Sequence, residues 1–170
     1  WVAPPLPAAI AHELQAGTPA APQATPQVAD GPAAKAAGLT ITPDLSKISR
    51  SELAKVSELS ISRAGVGSVR FHGITDCTNL DVPSLVHLDV GEVLVYPVPG
   101  TKPPVGRGLN KSATITMHQC WPPNGRGHLN DSKAQERYRK KIQQMTEEKK
   151  ATFIDYDCNT GIWKFQVEHF

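Results

Sequence analysis

The chain has 170 residues and a formal net charge of +2, so its overall balance favours neither nucleic acid, nor a membrane surface, nor any other charged partner. No apolar run approaches the ~20 residues that a membrane helix needs. The three cysteines, Cys77, Cys120 and Cys158, are too widely spaced for a zinc motif, and they favour free thiols over a disulfide framework.

Residues 1–16 combine proline with large apolar side chains at regular spacing. Leu6, Ile10 and Leu14 recur at steps of four, and Pro7 suits the first turn of a helix. Such a helix is too short to be stable alone in water. We predict a linear motif that folds into a groove on a partner through Trp1, Val2, Leu6, Ile10 and Leu14. The alternative is that this stretch packs on its own domain or on nothing.

Residues 17–38 consist mainly of alanine and proline, with Asp30 and Lys35 as the charged side chains. Proline removes backbone donors and fixes φ, which prevents regular helix or sheet. Few large apolar groups are available to offset the entropy of ordering. The composition therefore predicts a disordered, flexible linker.

From Leu39 onward the pattern is that of a folded domain. Thr42 or Asp44 can cap a short turn, and Ser51 with Glu52 is predicted to begin a helix that carries Leu53 and Val56. The segments "LSISRAG" and "GSVRFHG" predict a hairpin. The Val/Leu run in "LVHLDVGEVLVYPV" is typical of one strand buried on both faces, and "SATITMHQCW" alternates like a further strand.

The last third predicts a long helix followed by a hairpin. Asp131 or Ser132 is the expected cap, and the expected buried stripe is Ala134, Tyr138, Ile142 (or the stem of Lys141) and Met145. In the hairpin, a turn at residues 159–161 joins an arm with Phe153 and Tyr156 to an arm that buries Trp163, Phe165 and Val167. The predicted class is α+β: a β-rich, sandwich-like domain of antiparallel strands flanked by helices, at residues 39–170.

The chemical motifs that spacing alone can identify point to no cofactor and no metal. The histidines are scattered without an i, i+4 pair, and the glycine segments lack a dinucleotide or phosphate-loop context. The helix over residues 133–150 carries a compact basic cluster, Arg139, Lys140 and Lys141. This cluster can contact an acidic protein patch or RNA phosphates, but a solvated face of an amphipathic helix explains it as well.

Residues 39–170 resemble the autoproteolytic (peptidase S59-like) domain of the GLFG-repeat nucleoporins. The loop "KPPVGRGLN", the aromatic hairpin "GIWKFQVEHF" and the pair His169-Phe170 stand in the order found in that family. The resemblance implies that the precursor cuts its own backbone after Phe170. A following serine is the nucleophile of an N-to-O acyl shift, Phe170 supplies the scissile carbonyl and His169 assists. Because that serine is absent, we expect a spent single-turnover autoprotease here.

The resemblance further implies a structural constituent of the nuclear pore complex, at the nuclear envelope. Its domain would anchor FG repeats to scaffold nucleoporins in support of protein import and messenger RNA export. The expected partners are a β-propeller nucleoporin, the segment released by the cut and, through residues 1–16, a large helical scaffold nucleoporin. Transport receptors and RNA would be bound weakly or through repeats outside this sequence, and no membrane insertion is expected.

Two surfaces are predicted to anchor these partners. One is the basic cluster Arg139-Lys140-Lys141. The other is the groove beside Phe165 and Val167, where departure of the following residues would open a sheet edge for an incoming strand. The alternative function is an RNA-binding module that uses the basic helix over residues 133–150.

Overall fold

A computed structural model describes residues 38–170. The linear motif predicted for residues 1–16, with Trp1, Val2, Leu6, Ile10 and Leu14, lies outside the described residues. All but the last residue of the predicted linker lies outside them as well.

An antiparallel sheet of six strands organises the domain. Across the sheet the strands run in the order β1 (Leu39–Thr42), β3 (Ser60–Arg63), β4 (Gly67–Phe71), β8 (Ala113–Met117), β10 (Ile162–Val167) and β9 (Thr152–Asp157). Two smaller sheets pair β2 (Val56–Ser57) with β5 (Ile74–Thr75), and β6 (Val86–Asp89) with β7 (Glu92–Val95). Short helices α1 (Arg50–Leu53) and α2 (Val82–Leu85), a 3₁₀ turn (Arg126–Leu129) and the long helix α3 (Ser132–Glu148) complete the fold. The predicted β-rich α+β class is confirmed.

Alternation along the strands of the large sheet separates a core face from a polar face. Phe71, Ile115 and Phe165 are fully buried on the core face, where β6 also contacts β3 and β4. The opposite face carries hydroxyl side chains and cations, with Thr116 aligned between Ser68 and Lys164. One face therefore supplies the hydrophobic free energy of folding, and the other remains in water.

The Val/Leu run at residues 85–98 is a hairpin, so the prediction of one doubly buried strand is wrong. Strands β6 and β7 are joined by Val90 and Gly91, and Gly91 has φ +73°. The Asp89 carboxylate accepts a hydrogen bond from the Val90 backbone N–H at 2.8 Å. A two-residue turn needs little more than a glycine with positive φ, here Gly91. The apolar residues on both sides of Gly91 conceal this turn in the sequence.

The helix starts are partly as predicted. Asp44 accepts hydrogen bonds from Ser46 and orders the first turn. Helix α1 is capped by Ser49 rather than Ser51, because Ser49 and Glu52 form a reciprocal capping box. Val56, expected on that helix, lies in β2.

Helix α3 is capped by Asp131, whose carboxylate accepts from the Ala134 N–H at 2.8 Å. Its buried residues are Tyr138, Ile142 and Thr146, so Thr146 takes the inward position that the sequence assigned to Met145. Thr146 satisfies its hydroxyl by donating to the Ile142 carbonyl at 2.7 Å. In residues 38–170, no helix combines the length and apolar character needed to cross a membrane.

Candidate autoproteolytic site

Phe170 lies just beyond β10 and points back into the core. Its side chain is 2% exposed, and its ring centroid lies 5.6 Å from that of Phe71. Burial of an aromatic ring contributes a few kcal/mol of transfer free energy, roughly 2–3 by area. This anchor fixes where the backbone of residue 170 can lie.

Two side chains from one loop hold that backbone. The Phe170 N–H donates to Asn110 Oδ1 at 3.0 Å, and the Phe170 carbonyl oxygen accepts from Lys102 Nζ at 2.7 Å. Asn110 is itself 1% exposed and donates through Nδ2 to the Pro103 carbonyl at 2.8 Å. The loop "KPPVGRGLN" therefore clamps Phe170 at its backbone N–H and at its carbonyl oxygen.

The loop is rigid because its own backbone is bonded. Gly106 N–H donates to the Asn110 carbonyl at 2.7 Å, and Asn110 N–H donates to the Arg107 carbonyl at 3.0 Å. The Leu109 N–H donates to the buried hydroxyl of Tyr96 at 2.9 Å. These bonds agree with the interpretation of the loop as a rigid connection between strands, and the structure adds that the loop positions Phe170.

Tyr96 supports the loop through its hydroxyl group, which accepts the Leu109 hydrogen bond. Its backbone has φ +60°, an uncommon conformation for a bulky residue, and its N–H donates to the Leu85 carbonyl at 2.8 Å. Burial raises the pKa of the Tyr96 phenol, against a smaller opposing effect from the Leu109 N–H. The hydroxyl lies so close to Gly108 that a Cβ built there would be only 2.5 Å from it.

His169 lies beside this clamp with an exposed side chain. His169 precedes Phe170 directly, and neither hydrogen bond of the clamp involves its side chain. The sequence found His169 and Phe170 through the resemblance, but it missed Lys102, Asn110 and Tyr96. The unusual composition of the loop was a signal for Lys102 and Asn110, and Tyr96, which precedes the loop, had none.

The expected open edge beside the final strand is not present. Strand β10 is paired with β8 on one side and with β9 on the other, so no incoming strand can add to it. Phe165 and Val167 are 0% and 2% exposed, and their side chains form core rather than surface. Strand order, which the sequence pattern does not reveal, places β10 inside the sheet.

The basic cluster is largely engaged within the domain. Arg139 donates to the Tyr156 carbonyl at 2.8 Å and to Asp155 at 2.7 Å, and Lys140 pairs with Glu136 at 2.8 Å. Lys141 forms no ion pair within the described part of the chain. Less free positive charge is therefore available to RNA phosphates than the sequence indicates.

A groove opens beside the clamp. Its volume is about 780 Å³, and its lining is mixed. Apolar residues include Ile74, Leu80 and Leu85, polar ones include Asp76, Asp81 and Arg107, and Tyr96, Pro103 and Gly108 contribute from the clamp side. Ile74 is 65% exposed at this surface. The loop that holds Phe170 thus also forms part of the groove wall.

The family model described as Nup98-96 autopeptidase S59 matches residues 40–170. The chain belongs to this family. A nuclear pore complex protein Nup98-Nup96 from Dictyostelium discoideum is 36% identical over 129 residues, which is 75% of this chain and 6% of that protein. NUP98A from Arabidopsis thaliana is 36% identical over 118 residues, or 68% of this chain and 11% of the relative.

A solved structure is similar over the whole folded part. The Chaetomium thermophilum Nup145N APD, a mutant fused to Nup145C N, has a TM-score of 0.69 and 31% identity. The match covers 78% of this chain and 94% of that one. The sequence resemblance is thereby confirmed, while this chain spans only about a tenth or less of the curated relatives described above.

Proposed function

We propose that the domain cleaves its own backbone after Phe170 when a serine follows, and that it serves as a structural part of the nuclear pore complex. The observation that carries the cleavage is the clamp on Phe170. The buried ring, Asn110 and Lys102 hold residue 170 at its side chain, its backbone N–H and its carbonyl oxygen. Fixed geometry of this kind is what converts a side-chain hydroxyl into an effective intramolecular nucleophile.

The chemistry balances without a cofactor. The serine Oγ attacks the Phe170 carbonyl carbon, the C–N bond breaks, and the hydroxyl proton ends on the departing amine, with His169 as its carrier. Water then attacks the ester, the C–Oγ bond breaks, and Phe170 is left with a carboxyl group. The serine is consumed as the new amino terminus of the released segment, so each chain reacts once.

The test is an extended chain that continues with serine after Phe170. We expect conversion to two fragments cut after Phe170, seen by gel and intact mass, and full-length chain when that serine is replaced by alanine. His169→Ala should slow the cut without unfolding the domain, because its side chain is exposed. A folded, serine-containing chain that stays intact would refute the proposed cleavage.

For the anchoring role we propose nucleoporin partners, with residues 1–16 and the basic helix as two contact regions and the groove next to the clamp as a third. Support comes from the family membership, from relatives named as nuclear pore complex proteins, and from the fusion of the similar Chaetomium domain to Nup145C N. Exposed Ile74, with Leu80 and Leu85 beside it, suits a peptide that inserts apolar side chains, and the polar groups of the lining can orient that peptide.

Binding assays separate the three regions. Ile74→Asp should weaken capture of a nucleoporin segment that uses the groove, whereas Lys141→Asp should weaken capture through the basic helix. Leu6→Asp with Ile10→Asp should remove only a partner of the amino-terminal motif. Equal recovery of every nucleoporin by all variants would contradict the assignment of these surfaces.

A further inference from the structure

Lys102 has one polar contact, and that contact is with the reacting group. Its ammonium donates to the Phe170 carbonyl oxygen at 2.7 Å and has no other hydrogen bond or ion pair among residues 38–170. The residue is otherwise exposed. A long, flexible side chain loses rotamer freedom when it is held in one place, and the polar contact that holds Lys102 is made to the oxygen of Phe170.

When the chain continues beyond Phe170, that oxygen is the carbonyl oxygen of the scissile bond. Attack by the serine Oγ moves the carbonyl electron pair onto it, so negative charge develops on the atom that Lys102 already contacts. The same oxygen becomes charged again when water attacks the ester. A positive donor placed there before reaction stabilises both transition states more than the neutral ground state.

We infer that Lys102 is a catalytic residue of the cleavage, the donor that stabilises the oxyanion on Phe170. The inference rests on the proposed self-cleavage. Asn110 has a different role: it accepts from the Phe170 N–H and is a positioning residue, because that N–H lies one peptide unit before the scissile bond. Lys102 supplies charge, and Asn110 with the buried ring supplies geometry.

The experiment compares cleavage rates in the extended chain with serine after Phe170, produced intact by purification under denaturing conditions and started by refolding. Lys102→Met should cleave about 10-fold to 100-fold more slowly, less than the ~10²–10³-fold loss at a buried oxyanion donor, because Lys102 is exposed. Lys102→Arg, which keeps a charged donor, should recover part of the rate. Lys55→Met, at an exposed lysine outside the loop, should cleave like the parent chain.

A second measurement separates charge from loop order. In the uncleavable chain with alanine after Phe170, Lys102→Met should leave the melting temperature within about 2 °C of the parent, because one exposed hydrogen bond is removed from a domain of this size. An unchanged cleavage rate in Lys102→Met would overturn the inference, and so would an arginine variant as slow as the methionine one. A parent chain that fails to cleave would refute the proposed cleavage itself.

Discussion

Replacement of Gly108 by alanine tests whether the clamp loop is positioned by Tyr96. Gly108 has φ +55°, and an added Cβ would lie 2.5 Å from the Tyr96 hydroxyl oxygen. Gly106, in the same loop, has φ +86° with no atom within 4 Å of such a Cβ. The two glycines therefore share the backbone penalty and differ in the steric clash, which makes Gly106→Ala a matched control.

The magnitudes follow from these contacts. Gly106→Ala should lower the free energy of unfolding by about 1–2 kcal/mol, the cost of placing an L-residue in left-handed backbone. Gly108→Ala adds displacement of the Tyr96 hydroxyl, which removes the bond from the buried Leu109 N–H and adds about 1–3 kcal/mol. Tyr96→Phe alone removes the same bond without the clash and should also cost about 1–3 kcal/mol.

Urea unfolding of the parent, the three single variants and the double variant Gly108→Ala with Tyr96→Phe measures these differences. Because Gly108→Ala and Tyr96→Phe break one shared bond, the double variant should be about 1–3 kcal/mol more stable than the sum of the single effects predicts. In the serine-extended chain, Gly108→Ala should also cleave more slowly than Gly106→Ala, since Asn110 moves with the loop. Equal stability of the two alanine variants, or strict additivity with Tyr96→Phe, would refute the role assigned to Tyr96.

Three further predictions concern the helix and the thiols. Tyr138 has a buried hydroxyl without a hydrogen-bond partner in residues 38–170, and burial raises its pKa to about 12. Tyr138→Phe should therefore be as stable as the parent or up to about 1 kcal/mol more stable. Because the pKa of Tyr138 is higher in the folded than in the unfolded state, the parent loses stability as pH rises from 10 to 12. Tyr138→Phe lacks this group, so its free energy of unfolding, measured in urea, should fall less over the same pH range. Iodoacetamide at pH 8 should label half-buried Cys158 before Cys120, because burial raises the pKa of the Cys120 thiol to about 12. Mass spectrometry that finds Cys120 labelled first would contradict this prediction. Arg139→Ala should cost about 1 kcal/mol through its lost backbone contact, and Lys140→Ala close to nothing; equal costs in unfolding assays would count against the assigned role of Arg139.

Local sequence pattern predicts the elements of this fold better than their arrangement. Alternation locates β8 and β10, and the glycine turn locates the β3–β4 hairpin, because side-chain periodicity is decided within a few residues. Strand order is decided by which apolar faces meet in the folded chain. Only the folded chain shows that the edges of the sheet are β1 and β9, with β10 inside, and this is why the prediction of a docking edge at β10 is wrong.

The residues of the candidate site also fall into those that the sequence identifies and those that only the folded chain shows. Phe170 and His169 are recognisable because they are adjacent in a familiar order, whereas Asn110 and Lys102 contact Phe170 across 60 and 68 residues. No spacing rule connects residues so far apart. Their loop was noticeable for its prolines and glycines, which indicate a rigid connection but not which group it will hold.

The distance along the sequence between these groups and Phe170 makes the proposed cleavage depend on folding. The contacts on Phe170 require the Phe71 ring, Tyr96 and the loop at residues 102–110 to be in place, and all three are distant from Phe170 in the sequence. In an unfolded chain none of these groups is held near Phe170, and the peptide bond has the stability of any other. The proposed cleavage would therefore require the folded domain, and the fraction of folded chain would set how much precursor can be cut.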